Sequence, residues 1–313
     1  MYRTRIAGVG SYIPEGRLTN RDLEQMVETS DEWIVTRTGI SSRSIAAPDQ
    51  NTSDLAFHAA ERALVDAGLN AEDLDMILVG TETPDHPFPS VACQLQHRLG
   101  CRAISAVDLH VTCVGFLSAL QTADAFLRTG NFRHILVVGA DTLSRITDYT
   151  DRTTCILFSD GAGAFVVSRT DDPAHPGILH TATHAGGEHY YSLYQERGGS
   201  IKMDGRKIFK LAVNAMTETA KQTLAAAGMT TDDLDWLIPH QANQRIIDAV
   251  AEHCGLPQEK VISTIKHLGN NSSATIPIAF DLARNDGRIK RGDTLLFTAF
   301  GGGLVWGSAL LRY

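Results

Sequence analysis

The chain has few cysteines, and they lack the close spacing of paired cysteine motifs. The 313 residues include five cysteines, and no two of them form a CxxC pair. An odd number without such spacing favours neither a zinc site nor a disulfide framework, so we predict no metal. The sequence also lacks a GxGxxG, a GxxxxGK[ST] and an HExxH motif. Nucleotide-phosphate transfer and zinc hydrolysis therefore lose support.

The chain also has fewer basic than acidic residues, and it lacks long apolar runs. The chain has 28 Lys and Arg against 36 Asp and Glu, which gives a formal net charge of −8. This balance argues against a broad face for nucleic acid. No stretch approaches the roughly 20 apolar residues needed to span a bilayer, and the start has no apolar run of signal-peptide length. We therefore expect a cytoplasmic protein that binds neither nucleic acid nor membrane.

An internal repeat is the strongest pattern that the sequence does contain. Residues 60–80 align without gaps to residues 220–240, with seven identical positions. Each copy is predicted to be a helix ended by Gly68 or Gly228, then a polar turn and a buried strand. Strand-like and helical stretches alternate along the whole chain, which is typical of the α/β class with largely buried sheets.

The repeat divides the chain into two halves. Helices are predicted at 54–67, 114–128 and 209–227, and the turn formers at 170–177 suit a connector. We expect an N-terminal half at 1–172 and a C-terminal half at 173–313.

The repeat places three side chains at positions where catalytic residues are expected. Cys113 begins a helix, where backbone N–H groups and the helix dipole favour a thiolate nucleophile. His240 follows a strand, and Asn270 precedes the corresponding helix of the second half, so pseudo-symmetry places Cys113 and Asn270 face to face. The glycines at 301–303 allow close backbone approach and an N–H for an anionic oxygen. Packing or helix capping is the structural alternative for each of these residues.

These pieces occur together and in order with other motifs: GVGSYIPEGRLTN, TSDEWIVTRTGI, FPSVACQLQ, FSDGAGA, PHQANQRI, GNNSSATIP and AFGGGLVWGSAL. The chain thereby resembles the β-ketoacyl-acyl carrier protein synthase III family of thiolase-like condensing enzymes, nearly from end to end. The resemblance implies the five-layered αβαβα thiolase fold, which is itself built from two duplicated halves.

The resemblance also implies a reaction and a set of catalytic residues. The family's Cys-His-Asn set falls on Cys113, His240 and Asn270. Cys113 would take an acyl group from acyl-CoA. His240 and Asn270 would stabilise the enolate that forms when malonyl-acyl carrier protein loses carbon dioxide. The backbone N–H groups of Cys113 and Gly302 would form the oxyanion hole.

Binding residues follow from the same resemblance. Trp33 and Arg152 match the pair that sandwiches the CoA adenine, and Arg37 matches a residue near the CoA phosphates. Acyl-CoA would be a substrate, and no cofactor is implied. Phe88 matches a residue that closes the partner's acyl pocket in a homodimer. Lys210 matches a residue of the carrier-protein docking face.

Some positions depart from the family pattern. Arg245 matches a second docking residue, but Glu252 and His253 stand where lysine or arginine is expected. Thr112 and Val114 are bulkier than the small residues that usually flank the nucleophile. Opposite charge at a docking surface mainly affects association rate and specificity, so these changes leave the second substrate open.

Three functions therefore remain under consideration. The first is a condensing enzyme that starts fatty acid synthesis from an acyl-CoA. The second is a specialised acyltransferase or ketosynthase of secondary metabolism, with the same acyl-cysteine step and a different acceptor. The third is a non-catalytic partner subunit of this fold, although such a subunit has no need of all three catalytic side chains.

Overall fold

The structure is a computed structural model that describes residues 2–173 and 176–313. Its strands are β1 Arg3–Tyr12, β2 Gly16–Thr19, β3 Ser42–Ile45, β4 Met76–Gly80, β5 Ser105–Leu109, β6 His134–Thr142, β7 Asp160–Thr170, β8 Gly177–Ala185, β9 Leu193–Gln195, β10 Ile201–Met203, β11 Trp236–Pro239, β12 Thr294–Gly301 and β13 Val305–Arg312. Its α-helices are α1 Asn20–Leu23, α2 Asp31–Thr38, α3 Thr52–Ala67, α4 Val91–Arg98, α5 Gly115–Arg128, α6 Gly205–Ala226, α7 Gln244–His253, α8 Ile265–Leu268 and α9 Thr275–Asn285.

Two mixed sheets form the frame of the molecule, and their strand orders match. The first sheet runs β1-β7-β6-β4-β5, with β4 parallel to its neighbours β5 and β6 and the pairs around β7 antiparallel. The second runs β8-β13-β12-β11, with β11 parallel to β12 and the other pairs antiparallel. Each strand of the second sheet has a counterpart in the first. The predicted duplication and the α/β class are confirmed.

Helices and sheets alternate in five layers. Helices α3 and α4 pack on the outer face of the first sheet, and α6 packs on the outer face of the second with α7 beside it. Helices α5 and α9 form the middle layer, where they contact strands of both sheets. The largest apolar cluster fills this layer and includes Phe116, Phe165, Phe280 and Phe297. The order is the predicted αβαβα arrangement.

The repeated Asp-Leu-Asp segment shows why both halves fold alike. The carboxylate of Asp75 accepts hydrogen bonds from the backbone N–H groups of Arg133 and His134, at 2.6 and 3.2 Å, where β6 begins. The carboxylate of Asp235 accepts one from the N–H of Thr294, at 2.8 Å, where β12 begins. Each aspartate therefore fixes the register between two neighbouring parallel strands.

The predicted helices agree with the structure to within two residues except at one end. The stretches predicted at 54–67 and 114–128 correspond to α3 and α5. Helix α6 begins at Gly205, four residues before the predicted start, because the Asp204 side chain accepts from the N–H of Lys207 and caps the first turn. Nowhere in 2–173 or 176–313 is a helix long and apolar enough to cross a membrane.

The connector at 170–177 joins β7 to β8, and its residues Ala174 and His175 lie outside the described residues. The division of the chain at 172 and 173 stays a prediction.

The contact between Gly80 and Gly115 lets α5 approach the first sheet closely. A Cβ on Gly80 would lie 2.4 Å from the carbonyl carbon of Gly115. We expect Gly80→Ala to lower the free energy of unfolding by about 1–3 kcal/mol, since overpacking forces the backbone apart. Urea unfolding measures the effect. Gly187→Ala is the matched control, because a Cβ there meets nothing within 4 Å, and equal losses in both variants would contradict the prediction.

Candidate active site

Cys113 lies in a short 3-10 turn, Thr112–Val114, between β5 and α5. Thr112 has a φ of +45°, which is unfavourable for a β-branched residue. Its backbone N–H donates to the Glu82 carboxylate at 2.6 Å, and its hydroxyl donates to the Gly302 carbonyl at 3.1 Å. The turn that presents Cys113 is therefore held by contacts from both halves of the chain.

The glycine loop after β12 packs directly on this turn. A Cβ on Gly301 would lie 2.2 Å from the Thr112 hydroxyl oxygen and 3.0 Å from the backbone nitrogen of Cys113. Only glycine fits at position 301, because any side chain would push the loop away from the nucleophile. The structure thus places the Gly302 peptide against the turn that carries Cys113.

The second half has a matching turn, Ser272–Ala274, before α9. Ser272 has a φ of +51°, and across 2–173 and 176–313 it shares a positive φ with Thr112 alone among residues other than glycine. The conformational counterpart of Cys113 is therefore Ser273, and Asn270 lies three residues earlier. The Ser272 hydroxyl donates to the Cys113 sulfur across the seam, the boundary where the turns before α5 and α9 meet, with an oxygen–sulfur distance of 3.7 Å.

Backbone contacts fix the orientation of the Asn270 side chain. Its Oδ1 accepts from the N–H of Ser272 at 2.9 Å, while its main chain pairs with Leu157 and Ser159 at 3.0 Å each. Because Oδ1 is engaged, the amide Nδ2 is the group with hydrogen atoms to offer to a ligand. Asn270 is therefore oriented as a hydrogen-bond donor.

His240 is buried at the end of β11, and its backbone N–H donates to Thr298 at 2.8 Å. Its Nδ1 lies 2.7 Å from the hydroxyl oxygen of Thr275, and that hydroxyl donates its one hydrogen to the Ser272 carbonyl at 2.9 Å. Nδ1 must then carry the proton, which leaves the lone pair on Nε2. Burial lowers the pKa of His240 to about 3, so the resting imidazole is neutral.

One cavity of about 640 Å³ joins these side chains. Its lining includes the three catalytic candidates and three binding candidates: Cys113, His240, Asn270, Trp33, Arg37 and Arg245. Cys113 and Asn270 therefore line a common space, although the pseudo-symmetric counterpart of Cys113 is Ser273.

Burial raises the pKa of the Cys113 thiol to about 12, and the negative charges of Asp141 and Glu82 act in the same direction. The hydrogen bond from Ser272 and the backbone N–H of Cys113 oppose this shift without cancelling it. The prediction that Cys113 is a thiolate, which was based on its position at the start of a helix, is therefore wrong for the unliganded cavity. Desolvation outweighs the helix dipole, and the resting side chain is a thiol.

The predicted CoA-binding residues lie together around one indole ring. The guanidinium carbons of Arg37 and Arg152 lie 5.0 and 5.2 Å from the centroid of the Trp33 ring. Arg152 also donates from Nη1 to the carbonyl of Glu28 at 2.9 Å. An aromatic face and two cations at the cavity suit a flat, phosphate-bearing ligand.

Phe88 and Lys210 are not part of the cavity lining, whereas Arg245 is. Phe88 is 85% exposed and does not line this chain's own cavity. Lys210 is exposed on α6, and Arg245 on α7 stacks over the Phe209 ring at 5.3 Å. Arg206, at the first turn of α6, adds a cation to the cavity lining.

Sequence reasoning missed four residues that support the catalytic side chains: Glu82, Asp141, Ser272 and Thr275. Ser272 could have been found by aligning the two helix starts of the repeat. Glu82 follows the carboxyl end of β4, a place where α/β sheets often carry functional groups. Its pKa is raised to about 7 by burial and by Asp141. The described residues contain no cluster of His, Cys, Asp and Glu that could hold a metal.

Two turns from duplicated halves, with a cysteine, a histidine and an asparagine on one cavity, define a thiolase-like acyl-transferring enzyme. Comparisons with known proteins agree with this class. Residues 107–187 match the family described as 3-oxoacyl-[acyl-carrier-protein] synthase III, and residues 224–313 match the C-terminal region of the same family.

Relatives that match nearly the whole chain identify one family within this class of enzymes. The beta-ketoacyl-[acyl-carrier-protein] synthase III of Xanthomonas campestris is 52% identical, covering 99% of this chain and 98% of its own. That of Thiobacillus denitrificans is 50% identical, covering both chains completely. The solved synthase III of Aquifex aeolicus is 47% identical with a TM-score of 0.97, over 99% of this chain and all of that one. The chain belongs to the 3-oxoacyl-[acyl-carrier-protein] synthase III family, which confirms the predicted family, fold and type of enzyme.

The buried imidazole of His240 makes stability depend on pH. An unfolded histidine has a pKa near 6.5 and the folded one about 3, so the unfolded chain binds the extra proton in between. This contribution is present above about pH 6.5 and is lost as the pH falls. From pH 7.5 to 5 the wild type should lose about 2 kcal/mol more than His240→Gln. Urea unfolding across that range measures the difference, and parallel profiles for the two proteins would contradict it.

Proposed function

We propose that this enzyme joins an acyl group from an acyl-CoA to malonyl-acyl carrier protein by decarboxylative Claisen condensation, and so initiates fatty acid synthesis. The observation that carries the proposal is the shared cavity of Cys113, His240 and Asn270. Relatives of about 50% identity that are named beta-ketoacyl-[acyl-carrier-protein] synthase III support the same reaction.

In the first step the sulfur of Cys113 attacks the thioester carbon. The proton of the thiol passes to Nε2 of His240, which holds a lone pair because Nδ1 donates to Thr275. A carbon–sulfur bond forms to Cys113, the bond to CoA breaks, and the CoA sulfur takes the proton from Nε2 of His240 and leaves as a thiol. The product of this step is an acyl-enzyme.

In the second step malonyl-acyl carrier protein loses carbon dioxide. The electron pair of the broken bond forms an enolate, and the carbanion attacks the acyl carbon on Cys113. The Nδ2 of Asn270 donates to the enolate oxygen, and so does Nε2 of His240, which takes up a proton from solvent as the negatively charged substrate binds. The negative charge of the substrate offsets the cost of an imidazolium in a buried site. Cys113 leaves as a thiolate and regains the proton from His240.

Backbone donors stabilise the tetrahedral intermediate in both steps. We assign this oxyanion hole to the N–H groups of Cys113 and Gly302. Support comes from the Thr112 hydroxyl, which binds the Gly302 carbonyl, and from Gly301, where no side chain can separate the loop from the turn.

The cavity entrance supplies binding groups for both substrates. We assign the adenine and phosphates of CoA to Trp33, Arg37 and Arg152, which already group around the indole. The acidic carrier protein is assigned to the basic residues beside the opening, Lys210 and Arg245. Long-range attraction at such a face raises the association rate.

A homodimer in the cytoplasm completes the proposal. Strand β5 is the outermost strand of its sheet, and Val107 on it is 40% exposed. An uncovered edge of this kind favours pairing with a second chain. The exposed Phe88 ring is then available to the partner's acyl pocket. All five cysteines are free, as is common in a reducing compartment.

A role in secondary metabolism is the second candidate. The priming β-ketosynthase of the R1128 polyketide pathway is 34% identical with a TM-score of 0.92, over 99% of this chain and 96% of that one. Glu252 and His253, both exposed at the end of α7, give the docking face an unusual charge. With this alternative the acyl-cysteine step is unchanged and the acceptor differs.

Acylation of Cys113 is the first test. We expect the intact mass to rise by one acyl group after brief incubation with at least one acyl-CoA between acetyl and decanoyl. Cys113→Ala should show no gain, because the nucleophile is absent. No mass gain with any acyl-CoA in the wild type would contradict the proposal.

The two steps are separable by substitution. Asn270→Ala should still acylate Cys113, while condensation with malonyl-acyl carrier protein falls by about 10²–10³-fold, since one donor to the enolate is lost. Acylated mass and labelled carbon dioxide release are measured in the same samples. Retained acylation shows that the variant folds. Full condensation in Asn270→Ala would show that the amide does not stabilise the enolate.

A further inference from the structure

We propose that Ser272 is a further catalytic residue, whose hydroxyl donates a hydrogen bond to the sulfur of Cys113 when the thiolate forms. This inference deepens the proposed function and rests on it for the role of the thiolate. Ser272 forms no covalent bond and gives up no proton. Its hydroxyl acts on the charge that develops on sulfur in acylation and again when sulfur leaves in condensation.

The contact is built into the backbone. The hydroxyl oxygen lies 3.7 Å from the sulfur, which is hydrogen-bonding distance for a sulfur acceptor. Ser272 is 2% exposed, and its φ of +51° is a conformation that favours glycine. A residue with a side chain, held in that conformation beside the nucleophile, points to a function for the side chain.

Among the described residues, the carboxylate of Asp141 competes with the sulfur for the hydrogen of Ser272. Burial raises the pKa of Asp141, and a hydrogen bond from the Ser272 side chain is one of the contacts that lower it. Asp141 also accepts from the backbone N–H groups of Glu82 and Ser273 and from the hydroxyls of Thr81 and Thr83, while the Ser273 hydroxyl shares its one hydrogen between Asp141 and the Gly80 carbonyl. The Ser272 hydroxyl is therefore available to the sulfur.

The surroundings of the sulfur make a donor necessary. Asp141 and Glu82 both oppose a negative charge on Cys113, and among the described residues no lysine or arginine pairs with Glu82, whose contact is with the His110 ring at 3.8 Å. The imidazole of His240 is neutral at rest. Hydrogen bonds to an ionised group are about twice as strong as those between neutral groups, so one hydroxyl has a large effect here.

Alkylation of Cys113 by iodoacetamide tests this inference without any acyl-CoA. The rate at Cys113 is followed by peptide mass spectrometry at pH 8 in the wild type, Ser272→Ala and Ser272→Gly. A lost bond to an ionised group raises the thiol pKa by about one to two units. Nucleophilicity partly compensates for the smaller thiolate fraction, so we expect rates about three- to tenfold lower in both variants.

Two controls separate the hydroxyl from other effects. Ser308→Ala also removes a buried hydroxyl, but that hydroxyl contacts Thr219 and Thr223 and belongs to neither catalytic turn, so its rate should stay within about twofold of wild type. The glycine variant relaxes the backbone, and a normal rate there with a low rate in the alanine variant would assign the effect to conformation.

The outcomes distinguish this inference from the proposed function. Wild-type alkylation rates in Ser272→Ala, or an equal loss in Ser308→Ala, would overturn the role of Ser272 and leave the acyl-enzyme proposal intact. Slower alkylation in both Ser272 variants supports the inference even if no acyl-CoA loads the wild type, a result that would overturn the proposed reaction alone.

Discussion

The buried carboxylate of Asp141 is the interaction on which the site depends. It lies at the end of β6 in the first half and accepts hydrogen bonds from the Thr81–Thr83 loop and from Ser273 in the second half. A buried charge is tolerated only when its hydrogen bonds are complete, so both loops must be in place together. One side chain thereby couples the assembly of the two halves to the assembly of the cavity.

The two turns next to Asp141 show how duplication produced an asymmetric site. Thr112 and Ser272 have nearly the same φ and each precedes a middle-layer helix. Each hydroxyl reaches across the seam, the first to the Gly302 carbonyl and the second to the Cys113 sulfur. The two turns have the same backbone conformation, but the next residue differs. It is the nucleophile Cys113 in the first turn and Ser273, which contacts Asp141, in the second.

The overall fold could be predicted from the sequence because the patterns that indicate it are local or occur in both copies of the repeat. The helix ends at Gly68 and Gly228 depend on neighbours in the chain, the paired Asp75 and Asp235 recur in the repeat, and motif resemblance supplied the catalytic set. The protonation of Cys113 could not be predicted, since it depends on burial and on Asp141 and Glu82, which come from other strands. Family motifs mark which side chains react, whereas the environment sets their charge.

The protonated state of Cys113 has a consequence outside the reaction. Peroxide oxidises thiolates far faster than thiols, and the first product can go on to irreversible sulfinic and sulfonic acids. A nucleophile that stays neutral until substrate fills the cavity is spared this damage. The same desolvation that raises the pKa of Cys113 therefore slows oxidation of the resting sulfur, whose surface is partly open to the cavity.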